Sequence, residues 1–88
     1  MEITFDPAKN SVNLKQHGID LSNCEAVFNS PMLTVEDSRL HYGEQRLQTL
    51  GWLNDHVVFM VWVDREFPHI ISCRKATKHE TKIYFKRI

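Results

Sequence analysis

Eighty-eight residues, 42% apolar and 25% charged, suit one small domain (residues 1–88) with a single core, and no apolar run nears the ~20 residues a membrane span needs. Eleven Lys/Arg balance eleven Asp/Glu, which argues against a uniformly basic nucleic-acid binder. The balance is a sum of unequal parts: residues 1–66 hold five Lys/Arg and ten Asp/Glu, net −5, and residues 67–88 hold six and one, net +5, so a basic end faces phosphate, an acidic partner or plain solvent.

In chain order, Glu2-Ile3-Thr4-Phe5 alternates and reads as a short strand. Asp6-Pro7 opens a helix, with Asp as N-cap and Pro at the first helical position, and Gly18 closes it as a left-handed C-cap after His17. Only Ala8, Val12 and Leu14 are apolar, which predicts a thin buried stripe and leaves Lys9, Asn10, Asn13, Lys15, Gln16 and His17 on open faces. A second helix is expected from Ser22, with Ser22-x-x-Glu25 as a capping box, Leu21 stapled on Ala26, and Ala26, Val27 and Phe28 packing inward before Pro31 ends it.

Residues 32–36 read as a strand and 37–43 as a polar loop. Residues 44–53 alternate, with Arg46, Gln48, Leu50 and Trp52 on one face and Leu47, Thr49 and Leu53 on the other. Asn54-Asp55-His56 is a turn. Val57–Val63 is a continuous apolar run, the pattern of a central strand covered on both faces. A turn over 64–68 leads to a strand at 69–74. Thr77-x-x-Glu80 is a capping box for a last helix, whose Thr81, Tyr84, Phe85 and Ile88 share one face and whose Lys78, Lys82 and Lys86 share another. The order β-α-α-β-β-β-β-α predicts an α+β domain with an antiparallel meander. Should helical cover be incomplete, exposed apolar surface marks a partner site.

Cys24 and Cys73 form no Cys-x-x-Cys pair, so buried, reduced thiols in a cytoplasmic protein are expected, and the opening residues lack the order of a signal peptide. No P-loop, dinucleotide fingerprint, nucleophile elbow or zinc-protease motif is present, and the Cys and His spacings match no zinc pattern, so neither metal nor cofactor is expected. What remains is a cation-rich set with acid/base groups: His17, Glu44, Arg46, Arg74, Lys75, His79, Glu80 and Tyr84. Such a set suits RNA cleavage by the neighbouring 2′-hydroxyl, which needs a base, a cation for the phosphorane and an acid for the leaving oxygen. These members also have purely structural readings, and Arg74 is the hardest to explain so, since it ends a strand leading into a helix N-terminus where folding needs no arginine. Glu80 can be only a cap, Tyr84 a core residue with a bonded hydroxyl, Arg46 a partner for Glu44, and His17 a favourable charge at a helix C-terminus.

The same stretches resemble the BrnT family of bacterial type II toxins. Asp6-Pro7-x-Lys9, Asn13 and His17-Gly18 match its opening helix, and Val27-Phe28-x-x-Pro31 the segment that follows. Gly43-Glu44-x-Arg46 with Gly51 matches its central motif, and Ile70-Ile71-Ser72-x-Arg74-x-Ala76 with Glu80 and Tyr84 its C-terminal signature. Phe5, Gln16 and His69 stand where the family has tryptophan, lysine and arginine. The resemblance implies a RelE-like fold and a growth-arresting ribonuclease. It also implies an antitoxin, BrnA, with a ribbon-helix-helix domain, in a homodimeric or heterotetrameric assembly that reaches operator DNA only through the antitoxin. On this reading His17, Glu44, Arg46, Arg74, His79, Glu80 and Tyr84 are candidate catalytic residues. Lys9, Lys15, Lys75, Lys78 and Lys82 are candidate RNA contacts. The alternative is a catalytically silent module of the same fold that acts through its antitoxin complex.

Overall fold

Asp6 and Pro7 start the first helix as their chemistry dictates: the Asp6 carboxylate accepts from the Ala8 amide at 2.9 Å, and Gly18 closes the helix at φ 70°. The computed structural model describes residues 1–39 and 43–88. In order they form β1 (Thr4–Phe5), α1 (Pro7–His17), a 3₁₀ helix (Leu21–Asn29), β2 (Leu33–Glu36), β3 (Arg46–Leu53), β4 (His56–Val63), β5 (His69–Lys75) and α2 (Lys78–Arg87). The expected α+β order is therefore present, and part of the expected loop at 37–43 (residues 40–42) lies outside the described residues. The sheet order is β1-β5-β4-β3-β2. Strands β2 to β5 form the antiparallel meander, and β1 adds to the β5 edge in parallel.

The segment after Gly18 differs from expectation. It is a 3₁₀ helix capped by Asp20, whose carboxylate accepts from both the amide and the hydroxyl of Ser22. Ser22 thus lies inside the helix, the Ser22–Glu25 capping box does not form, and Ala26 is exposed. Three residues per turn align Leu21, Cys24 and Val27, and all three are fully buried. Each of the larger two contributes about 1.5–3 kcal/mol by leaving water. They pack on one face of the sheet against Leu53, Val58, Met60, Trp62, Ile70 and Cys73. Gly51 permits this approach, since a Cβ there would sit 2.5 Å from Val27 Cγ1.

Helix α1 reverses its predicted faces. Val12 and Leu14 are about half exposed, and Asn13 is buried. The Asn13 amide nitrogen donates to the carbonyls of Ile19 and Cys73 at 2.8 and 2.9 Å, and its oxygen accepts from the Cys73 amide at 3.1 Å. The side chain therefore does for the β5 edge, beyond the end of β1, what a neighbouring strand would do. Asn10 is partly buried as well, joined to Asp20 and to the Leu21 amide. Polar side chains, not an apolar stripe, fasten this helix.

Helix α2 has the expected capping box: the Thr77 hydroxyl accepts from the Glu80 amide, and Glu80 accepts from the Thr77 amide. Tyr84 is buried, and its hydroxyl donates to the Pro31 carbonyl at 2.8 Å. Its apolar face is only partly covered, because Phe85 and Ile88 remain more than half exposed beside Trp52. Cys24 and Cys73 are both buried and free, and the Cys24 thiol together with burial pushes the Cys73 thiol far above its ordinary range.

Candidate functional site

The ladder register sorts the sheet's second face into rows. Arg46 pairs with Val63, which pairs with His69, which pairs with Thr4 of β1. The next row is Gln48, Val61 and Ser72, and the one after it is Leu50, Phe59 and Arg74. Paired residues point to the same side of a sheet. Valines of β4 thus form an apolar floor, with Arg46 and Gln48 along β3 and His69, Ser72 and Arg74 along β5. A register shift between Val61 and Trp62 keeps this possible: it leaves Ile71 unpaired, so that His69 and Ser72 face the same way although three residues apart.

At the Arg74 end the charges are already occupied. The Arg74 guanidinium donates to both Glu80 oxygens at 2.8 and 3.0 Å, donates to the Lys75 carbonyl, and stacks 4.3 Å from the Phe59 ring centre. The Glu80 pair raises the Arg74 pKa, and the Arg74 hydrogen bonds hold Glu80 below the usual carboxylate range. Arg74 thus joins β5 to the start of α2, a folding role that its place in the sequence does not suggest. Glu80 is both cap and ion-pair partner, and Tyr84 serves the core. His79, Lys75, Lys78 and Lys82 are exposed around this end.

The other end differs. Arg46 does not pair with Glu44; Glu44 bonds instead to Arg65 in the β4–β5 turn. The Arg46 Nε is buried without a hydrogen-bond partner among the described residues. The His69 ring lies 2.7 Å, through Nδ1, from the Thr4 hydroxyl. Burial pushes its pKa below the ordinary value of 6.5; Arg65 and Lys9 push the same way, while Glu44 and Asp6 oppose them. Beside it, Lys9 and His17 of α1 line an open groove of about 360 Å³ whose other wall includes Ile71 and Ser72. Lys15 is exposed farther along α1.

The structure therefore divides the sequence-predicted residues into two groups on one face. Glu44 and Arg46 lie at the His69 end of the strand rows, with Lys9 near His69, and Arg74, Glu80, His79 and the α2 lysines lie at the other end, while His17 lines the groove beside Ile71 and Ser72. Arg46 and Arg74 stand two strands apart and four residues out of line, about 17 Å between Cα atoms by ideal sheet spacing. Sequence reasoning did not single out Arg65, Thr4 or the contact between Thr4 and His69. Their meeting depends on the parallel β1–β5 pair, joined across 65 residues, for which a two-residue strand offers no local signal. Among the described residues no cluster of His, Cys, Asp and Glu could hold a metal ion. No helix among them is long and apolar enough to cross a membrane.

A family model described as "Ribonuclease toxin, BrnT, of type II toxin-antitoxin system" matches residues 5–80. Comparison with curated proteins gave no match.

Proposed function

From the premise that the chain belongs to the BrnT family, the RNA-cleaving toxins of type II toxin–antitoxin systems, we propose that it cuts RNA by transphosphorylation without a metal ion, on the sheet face just described. The 2′-oxygen attacks the adjacent phosphorus, the bond to the 5′-oxygen breaks, and a 2′,3′-cyclic phosphate results. Arg46 is the cation at the reacting phosphate, with Arg65, Lys9 and His17 beside it. Arg74, Lys75, Lys78 and Lys82 hold the RNA backbone farther along, while Glu44, His79, Glu80 and Tyr84 support the site through charge and order.

The observation that carries this reading is the buried, unpartnered Nε of Arg46. An unmet buried donor costs about 1–3 kcal/mol, more when charged, and an anion arriving there removes the cost. Arginine's planar fork fits two phosphate oxygens at once. Arg74 and Arg65 already have carboxylate partners, whereas Arg46, on the same face, has none among the described residues.

The partner is an antitoxin. We propose a BrnA-like protein with a ribbon-helix-helix domain, paired with the toxin as a heterotetramer in the cytoplasm and carrying operator recognition itself. The +5 balance of residues 67–88 supports an acidic contact surface on it.

Expression in growing cells tests the function. The wild type arrests growth; Arg46→Gln relieves the arrest at equal soluble level, and Arg46→Lys relieves it in part, because the charge stays and the fork is lost. Purified wild type cuts naked RNA in EDTA, or ribosome-bound message in magnesium buffer. Normal growth with soluble wild type, and intact RNA in both assays, would overturn the reading in favour of a silent binding module.

A further inference from the structure

We propose that His69 is the proton acceptor for the 2′-hydroxyl, working across the Val63 floor from the phosphate that Arg46 holds; this rests on the ribonuclease reading above. Three observations lead to it. Arg46, Val63 and His69 form one cross-strand row on one face, so the two functional side chains rise on either side of a valine that is 5% exposed. Two strand spacings separate their backbones, about 10 Å, an interval that a guanidinium, one phosphate with its ribose and an imidazole fill together. Among the described residues neither side chain is used up in an ion pair, the Nε of Arg46 has no partner, and the side-chain bond of His69 is the short contact to the Thr4 hydroxyl.

That contact gives the ring its direction. The role assigns the Nδ1 proton to this contact, donated to Thr4 Oγ1, which leaves the lone pair on Nε2, the tautomer a base needs. The surroundings keep the ring neutral in the resting protein. Burial, Arg65 and Lys9 all disfavour the imidazolium, and Glu44 and Asp6 only partly offset them. These groups come from every element beside the ring: Thr4 from β1, Asp6 and Lys9 from the start of α1, Glu44 from the approach to β3, Arg46 from β3 itself and Arg65 from the β4–β5 turn. When a phosphate arrives, its charge opposes the two cations and favours the imidazolium that forms as the proton transfers.

The step balances without a co-reactant. Nε2 takes the 2′-hydroxyl proton as the 2′-oxygen bonds to phosphorus. The 5′-oxygen departs with the electron pair of its bond to phosphorus and takes a proton from water. The imidazolium then returns its proton to the solvent. No electron changes hands.

The test uses the full chain on whichever RNA the wild type cleaves, with an otherwise identical all-2′-deoxy oligonucleotide as the binding probe. His69→Gln is expected to lower kcat about 100-fold or more, the usual worth of one proton-transfer partner, while affinity for the deoxy probe stays within twofold. Arg46→Gln is expected to weaken the probe as well. Thr4→Val, which leaves the imidazole but frees its direction, is expected to lower kcat with KM unchanged. The wild-type kcat/KM, which reports the free enzyme, is expected to fall on the acid side through a single limb below the ordinary histidine range, and this limb needs no variant to be seen. Folding of each variant is checked by its thermal melt. A folded His69→Gln enzyme with wild-type kcat, or a wild-type profile without the acid limb, would overturn the role of His69 and leave the ribonuclease standing. Wild type that cuts no RNA would overturn both.

Discussion

Replacing Asn13 by alanine removes the side chain that, among the described residues, satisfies the β5 edge beyond β1. Three bonds go at once, two from the amide nitrogen to the Ile19 and Cys73 carbonyls and one into its oxygen from the Cys73 amide. Cys73 is 0% exposed and Asn13 4%, so water does not replace them freely. An orphaned buried group costs about 1–3 kcal/mol, with the amide worse than the carbonyls, which keep a second lone pair. A loss of ~3 kcal/mol is the working figure. A chain of 88 residues has ~4–13 kcal/mol in all, so this is a large share of the total. At about 4–8 °C per kcal/mol for a domain of this size, the melting temperature drops by about 12–24 °C. Urea unfolding followed by circular dichroism gives the number directly. Val12→Ala, one residue away and outward-facing, serves as the control and stays within about 0.5 kcal/mol. A loss below ~1 kcal/mol for Asn13→Ala, at unchanged denaturant slope, would refute the claim that this side chain acts as the missing strand.

Gly51→Ala drives a methyl group into Val27 and against Ser30 Oγ, and costs about 1–3 kcal/mol by overpacking, read from the same urea titration. Glu80 has its pKa depressed by Arg74, so its contribution is whole above the ordinary value of 4.5 and is lost as pH falls through the lower folded value. The stability gap between wild type and Glu80→Gln therefore closes below about pH 4.5 in melts taken across pH, and a gap that widens on acidification contradicts the pairing. Changing Lys78, Lys82 and Lys86 together to Gln makes the salt dependence of RNA binding shallower by about two units of log–log slope, if each meets a phosphate. The same change lowers the on-rate for antitoxin more than it raises the off-rate, which surface-binding kinetics at two salt concentrations resolve. Indifference to salt and substitution alike makes the stripe a solvated face.

Local chemistry was legible wherever a few adjacent residues settle it. Asp6-Pro7, Gly18 and Thr77-x-x-Glu80 fix helix ends through bonds within one turn, and each is where the sequence puts it. The apolar run 57–63 reads as the central strand because a strand covered on both faces has no polar side to show. Failures came where tertiary bonds override local preference. Ser22-x-x-Glu25 has the spacing of a capping box, yet Asp20 two residues earlier caps first. Val12 and Leu14 look like the inner face of α1 until Asn13 is known to bind backbone 60 residues away. Of the candidate site, the residue types were legible and the partners were not. Glu44 chose Arg65 rather than Arg46, and Arg74 chose Glu80, because pairings across turns and strands follow register, which sequence spacing does not display.

The turn between β3 and β4 has a consequence for the order in which the site comes together. Asn54 and Asp55 both have positive φ, 50° and 67°, the signature of a two-residue type I′ hairpin whose twist matches its strands. It joins the longest ladder in the sheet, eight pairs from Leu53–His56 to Arg46–Val63, with little chain to close. The β1–β5 pair lies at the opposite extreme, two residues closing 65. Contacts of that span form slowly and yield easily. In native hydrogen exchange the β3–β4 amides outlast those of β1. Arg46 and Val63 thus stand ready on an early hairpin, while Thr4 reaches His69 only when the far end of the chain comes home. The row is complete only in a finished fold, and a nascent or partly unfolded chain carries its arginine without the oriented imidazole.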